Sequence, residues 1–156
     1  MKAVIQRVRR ASVEIEGRNA GQIGRGLLVL LGVAQDDDQT DVEFLAEKLP
    51  TLRIFPDEAG KMNKSLEDIG GAGLIISQFT LLADTDRGRR PSFERAAPPE
   101  HARSLYQLLI DRMRARGVHI ESGIFGASMV VSLENEGPVT LVLDSRRGNQ
   151  VQRKKN

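Results

Sequence analysis

Leu27-Leu28-Val29-Leu30-Leu31-Gly32-Val33 is an unbroken apolar run, and no other segment limits the fold as tightly. A strand with one wet face alternates apolar and polar residues, whereas a run without alternation needs cover on both faces. Gly24 and Gly26 bracket Arg25 ahead of it, and Asp36-Asp37-Asp38 end it. The run is far below the roughly 20 residues of a membrane helix. A second layer of structure is therefore required. The 156 residues suffice for one domain with such a core and would be cramped as two.

The remaining elements read as follows. Ala3 to Val8 and Ser12 to Glu16 are expected as two strands, with Ala20 to Ile23 returning as a hairpin partner. Thr40 and Glu43 fit a capping box for a helix carrying Val42, Leu45, Ala46 and Leu49, ended by Pro50. Leu52 to Phe55 is a short strand, and Leu74 to Phe79 is a second buried one, entered through Gly70-Gly71-Ala72-Gly73. Pro99 to Arg116 is the strongest helix, with Ala102, Leu105, Leu108, Leu109 and Met113 on one face and Gly117 closing it. Val118 to Glu121, Ser128 to Leu133 and Val139 to Leu143 complete the strands, with a turn at Asn135 to Pro138. Strands and helices do not alternate regularly. The expected class is α+β, a compact β-rich, barrel-like and largely antiparallel sheet with two main helices. Residues 1–145 form the domain, and 146–156 are a basic tail.

Composition removes several classes of chemistry. Without cysteine there is no disulfide scaffold, thiolate nucleophile or Cys-ligated metal. His101 and His119 are the two histidines, and both read as surface residues. No nucleophile elbow and no H-E-x-x-H motif is present. Gly21 to Gly26 lacks both the spacing and the βαβ frame of a dinucleotide site. Aromatic residues, at 4%, are too few for a large RNA-stacking platform. The net charge of +2 owes much to Arg146, Arg147, Arg153, Lys154 and Lys155. It is weak evidence for a nucleic-acid-binding body. The N-terminus has no signal-peptide core, so a cytoplasmic, non-membrane protein is expected.

Three segments stand out. Ser77-Gln78-Phe79-Thr80-Leu81 places polar groups directly after an apolar strand, where they must find partners. It is either a strand running into a loop or a site at a strand end. Gly137-Pro138 permits a plain turn or a cis bond that aligns two carbonyl oxygens. Gly123-Ile124-Phe125-Gly126 sets two glycines around a phenylalanine, a sign of close backbone approach or a turn.

Taken together, Ser77-Gln78-Phe79-Thr80-Leu81, Ala83-Asp84-Thr85, Gly88-Arg89-Arg90-Pro91-Ser92-Phe93, Gly126-Ala127-Ser128-Met129 and Asn135-Glu136-Gly137-Pro138-Val139-Thr140 closely resemble the D-aminoacyl-tRNA deacylase family. Val4 to Val8, Gly26 to Gly32, Leu52-Arg53-Ile54-Phe55 and Gly60-Lys61-Met62-Asn63 fit the same pattern. The resemblance spans about residues 1 to 144; Pro50 and the tail depart from it.

The resemblance implies a homodimer that hydrolyses the ester of D-aminoacyl-tRNA, and of glycine mischarged on tRNA, as a proofreading enzyme without metal or other cofactor. It implies catalysis around Ser77, Gln78, Phe79 and Thr80, assisted by the 2′-hydroxyl of the tRNA. Side-chain and backbone roles for Ser77, Gln78 and Thr80 both stay open. It assigns substrate binding and rejection of L-amino acids to Gly137, Pro138 and Met129, with Gly137–Pro138 reaching into the partner's site. Lys61, Arg87, Arg89 and Arg90 are candidates for RNA phosphate contact, and Lys64 and the tail join them. No DNA partner is expected. Arg7, charged and in a strand, reads as a structural residue paired to a carboxylate. The rival readings are a nucleic-acid-binding dimer without turnover, a hydrolase of small D-amino-acid esters, and a purely structural dimer.

Overall fold

A computed structural model describes residues 1–86 and 88–146. The strands are β1 (Lys2–Ile15), β2 (Arg18–Ile23), β3 (Gly26–Gly32), β4 (Phe55–Pro56), β5 (Met62–Lys64), β6 (Ala72–Ser77), β7 (His119–Ser122) and β8 (Val130–Asp144). Helix α1 (Gln39–Thr51) lies between β3 and β4, and α2 (Pro99–Ala115) between β6 and β7. A 3₁₀ turn occupies Phe79–Leu82. The main sheet runs β2-β1-β3-β6-β7, with β8 also on β1. Gly21 of β2 lies so near the Ser122 carbonyl of β7 that an added Cβ would sit 3.0 Å from it. That approach curls the sheet into the expected barrel-like form, with two α-helices.

The sheet is mixed: most of its pairing is antiparallel, as expected, but two neighbouring pairs are parallel. β1 is antiparallel to β2, β3 and β8, but β3–β6 and β6–β7 are parallel. Parallel neighbours need a crossover, and α1 and α2 supply the two. The small β4–β5 hairpin inside the first crossover hid that regularity in the sequence.

β3 is covered on both faces, as its sequence requires. Leu27, Val29 and Leu31 join Leu45 and Leu49 of α1 and Leu109 and Met113 of α2. Leu28 faces the other way, among Val8, Val13, Leu74 and Ile76. Each such side chain, fully buried, contributes about 1.5–3 kcal/mol.

Five local expectations need correction. β1 is one strand, because the exposed pair Arg9 and Arg10 marks a shift in its pairing with β8 and not a loop. β8 likewise continues through Asn135 to Pro138, where a turn was expected. The α1 cap is Asp38 with Asp41, two residues before the Thr40–Glu43 pair. Asp38 accepts from the Thr40 N–H at 2.7 Å, and Asp41 accepts from the Asp38 N–H at 3.0 Å. Pro50 lies inside the last turn of α1, and the Leu52 to Phe55 strand shrinks to Phe55–Pro56. No helix among the described residues is long and apolar enough to cross a membrane. The tail beyond Arg146 lies outside the described residues.

Candidate active site

β6 lies parallel to β3, with Ser77 opposite Leu31. The Gln78 N–H donates to the Leu31 carbonyl at 2.7 Å, and the chain then leaves the sheet as the 3₁₀ turn. A cavity of about 590 Å³ opens at this exit. Ser77, Gln78 and Phe79 line one side of it, Ala127 and Met129 another, and Phe93 and Phe125 contribute aromatic surface. No aspartate, glutamate, lysine, arginine or histidine is among its described lining residues.

Thr80 is not part of the lining. It stands exposed beside the cavity, and its hydroxyl accepts a hydrogen bond from the Gln78 side-chain amide. Met129 packs its sulfur over Gly123, where a Cβ would approach within 2.4 Å. The glycine ahead of Phe125 is thus room for Met129.

Of the cavity's aromatic residues, Phe79 is expected from sequence, whereas Phe93 and Phe125 have no site role assigned there. Phe79 and Phe93 meet edge to face at 5.1 Å and 72°. Phe93 follows a loop closed by paired backbone bonds between Asp84 and Ser92, 2.8 and 2.9 Å, and by the Arg95–Asp84 ion pair at 3.0 Å. Arg89 and Arg90 are exposed on that loop, and Arg87 lies outside the described residues. Phe125 rests 5.8 Å from Tyr106, whose hydroxyl donates to the Ile75 carbonyl at 2.7 Å. Burial pushes the Tyr106 phenol up to about 12, against a smaller opposing effect of a Ser122 hydrogen bond. The only sequence signal for Phe125 was its pair of flanking glycines.

Gly137 and Pro138 lie away from this cavity. The bond between them is cis, and both residues are exposed. In the β1–β8 ladder Gln6 faces Thr140 and Val8 faces Asn135, so Glu136 to Val139 bulge out opposite Arg7. Arg7 is buried beneath the bulge. Its Nε donates to the Glu136 carbonyl at 3.0 Å, and its Nη1 donates to the Ile54 carbonyl. The Glu136 carboxylate is 3.7 Å from the same Nε, which is the carboxylate pairing expected of Arg7.

Lys61 is elsewhere again, in the turn between β4 and β5, with Lys64 bound to Glu58 at 3.0 Å. His119 is exposed beside Glu121 at 3.1 Å, in keeping with a strand-surface residue. His101 is exposed too, but its Nε2 lies 2.9 Å from the Asp37 carbonyl and ties α2 to the start of α1. Among the described residues no three His, Cys, Asp or Glu side chains gather as a metal site would require.

Residues 4–144 match the family model described as D-Tyr-tRNA(Tyr) deacylase. A D-aminoacyl-tRNA deacylase of Anaeromyxobacter dehalogenans is 55% identical over 147 residues, covering 94% of this chain and 99% of its own. The chain belongs to the D-aminoacyl-tRNA deacylase family. Another D-aminoacyl-tRNA deacylase, from Chloroflexus aurantiacus, is 58% identical over 145 residues, 93% of this chain and 91% of its own. A solved structure described as c-Myc DNA Unwinding Element Binding Protein superposes with a TM-score of 0.87 at 43% identity, covering 92% of this chain and 98% of its own. One described as a probable eukaryotic D-amino acid tRNA deacylase superposes at 0.78 with 22% identity over 92% of this chain, and shares the fold. The deacylase family match contains the cavity, the Gly137–Pro138 bulge and Arg7.

Proposed function

We propose that the protein hydrolyses the ester between a D-amino acid and the 3′-terminal adenosine of tRNA, with glycine mischarged on tRNA as a second substrate. Deacylation of D-aminoacyl-tRNA is the activity for which its family is named. The observation that carries the mechanistic reading is the cavity at the end of β6, lined by Ser77, Gln78 and Phe79 and by no ionisable side chain among its described residues.

Hydrolysis of an ester needs water at the carbonyl carbon, stabilisation of the resulting oxyanion, and a proton for the departing ribose oxygen. The substrate carries a 2′-hydroxyl beside its own ester. That hydroxyl takes the role of proton relay, which explains a cavity without a protein base. The water oxygen bonds to the carbonyl carbon, the bond to the 3′ oxygen breaks, and the 3′ oxygen leaves with a proton.

The protein's part is placement and electrostatic stabilisation. The first N–H groups of a 3₁₀ turn have no partner within the turn. Those of Phe79 and Thr80 are assigned to the developing oxyanion, where one fixed donor is worth about 10²–10³ in rate. Gln78 holds the Thr80 hydroxyl, and with no base among the described cavity lining to activate it, Thr80 is assigned an orienting role.

Chirality is read by Gly137–Pro138 of a second copy, together with Met129. Both residues are exposed and lie away from the cavity of their own chain. Among the described residues β8 pairs with β1 alone, and it exposes Val130 and Val142 at 64% and 71%. An open edge with apolar side chains favours cover by another copy. An L side chain would then meet the inserted backbone, while glycine has none to reject. Arg89 and Arg90 beside Phe93, with Arg87 and Lys61, are assigned to tRNA phosphates.

The test is turnover of matched D-Tyr-tRNA and L-Tyr-tRNA by substoichiometric protein. Cleavage of the D ester with the L ester spared supports the reading. A folded protein that cleaves neither overturns it. Salt-sensitive nucleic-acid binding would then favour a binding module, as the description of the 43%-identical structure suggests for that protein. Equal cleavage of free D-tyrosine methyl ester would point to a small-ester hydrolase.

A further inference from the structure

We propose that Arg25 is a positioning residue which, acting through Glu136, fixes the orientation of the Gly137–Pro138 segment that reads substrate chirality. The inference rests on the assignment of chirality reading to that segment.

Glu136 immediately precedes Gly137, so its backbone torsions set where the next carbonyl points. Its Oε2 is buried and makes no hydrogen bond among the described residues. A buried carboxylate oxygen without a donor is costly unless positive charge lies close. Two guanidinium groups face it, Arg7 Nε at 3.7 Å and Arg25 Nε at 3.7 Å. The Arg7 Nε–H is already given to the Glu136 carbonyl, and the Arg7 Nη1 to Ile54. Arg25 is the second cation holding the carboxylate inward. Without it, the carboxylate gains by turning to solvent, and that turn moves the residue next to Gly137.

Arg25 is itself well fixed. Gly26, directly after it, lies where an added Cβ would stand 1.8 Å from the Ala72 carbonyl oxygen, so β3 begins flush against β6. The Arg25 carbonyl accepts from the Ala72 N–H at 3.2 Å. Its guanidinium lies 5.7 Å from the centroid of the buried Phe55 ring. Yet its side chain is 47% exposed. Removing it empties no core site, so loss of position can be separated from loss of fold.

The experiment compares initial rates on D-Tyr-tRNA and L-Tyr-tRNA for the wild type, Arg25→Ala, Arg25→Lys and Glu136→Gln. Arg112→Ala is the control; it breaks a half-exposed ion pair with Glu43, 2.8 Å long, between the two helices. Arg25→Ala is expected to lower the D-to-L rate ratio roughly tenfold with an unchanged melting temperature. Arg25→Lys, which keeps the charge, restores part of the ratio, and Arg112→Ala leaves it alone. If Arg25→Ala does not fold, Glu136→Gln reads the same ratio with the side-chain shape kept. A selective wild type whose ratio survives both Arg25→Ala and Glu136→Gln within about twofold overturns this inference alone. A wild type that cleaves both esters alike overturns the chirality reading as well.

Discussion

The side-chain amide of Asn135 bonds both backbone groups of Val139, accepting from its N–H at 2.9 Å and donating to its carbonyl at 3.1 Å. Asn135 thereby does for Val139 what a neighbouring strand would do. The bulge it closes contains Glu136, Gly137 and Pro138, so this exposed segment is clasped at its base.

Asn135→Ala removes both bonds and leaves a half-buried N–H and C=O to find water. It is expected to cost about 1–3 kcal/mol. Asn135→Asp keeps the acceptor but sets a carboxylate oxygen against the Val139 carbonyl, and is expected to destabilise as well. Chemical denaturation of the two variants measures this. An unchanged midpoint would mean that the clasp does not hold the bulge.

Thr80→Val tests the nature of the chemistry. With backbone N–H groups and the substrate's own hydroxyl at work, the variant is expected to lose about tenfold or less in kcat. Loss of a true nucleophile costs on the order of 10⁶. Single-turnover rates on D-Tyr-tRNA separate the two cases.

Phe79 is 56% exposed at the cavity mouth, in edge-to-face contact with Phe93. Phe79→Ala is expected to change stability by no more than about 0.5–1.5 kcal/mol, the worth of the aromatic pair. Loss of a stacking surface for the RNA end is worth about 1–3 kcal/mol per base, so KM should rise roughly 5- to 150-fold. Steady-state kinetics on D-Tyr-tRNA check this, and an unchanged KM would remove Phe79 from substrate binding.

Tyr106 is the chain's sole tyrosine, and there is no tryptophan, so its titration is optically clean. Its phenol is held up to about 12 when folded, chiefly by burial. An unfolded tyrosine ionises near 10. The stabilising effect is therefore complete below about pH 10 and is lost as pH rises toward the folded value. Phenolate absorbance is expected to be absent from the folded protein at pH 10 and to appear on adding denaturant. Ionisation at pH 10 without unfolding would contradict the burial of the phenol.

Asp37 holds the α-amino group of Met1 at 2.7 Å, with both side chains fully buried. Asp37→Ala leaves that ammonium without its nearest carboxylate, at an expected cost of about 3–5 kcal/mol. The group lies outside the lining of the cavity at the end of β6, so the fraction that folds is expected to retain its kcat. Thermal unfolding and active-fraction kinetics read the two separately.

Much of this protein is legible in its residues alone. The Leu27 to Val33 run demands cover on two faces, and α2 shows its buried stripe of Leu105, Leu109 and Met113 directly. These are local properties, because the backbone period decides which side chains share a face. The abrupt polar step at Ser77 and Gln78 marks the strand end that opens the cavity, and Gly137-Pro138 marks a special backbone site. Other features depend on pairings that no local pattern encodes. Arg9 and Arg10 look like a loop until β8 pairs past them, and Asn135 to Pro138 look like a turn until the same ladder carries through them. Asp38 becomes the cap, ahead of Thr40, by the path the chain takes out of β3. Arg7, Arg25, Ile54 and Glu136 are distant in sequence and meet because β1 lies between β3 and β8. The same holds for Phe79, Phe93 and Phe125 around one cavity. Residue types and their spacing determine which segments are buried and where chemistry is concentrated. Which of those segments meet is decided by sheet order and by the bulges within it, since contacts between remote residues follow from the assembled backbone.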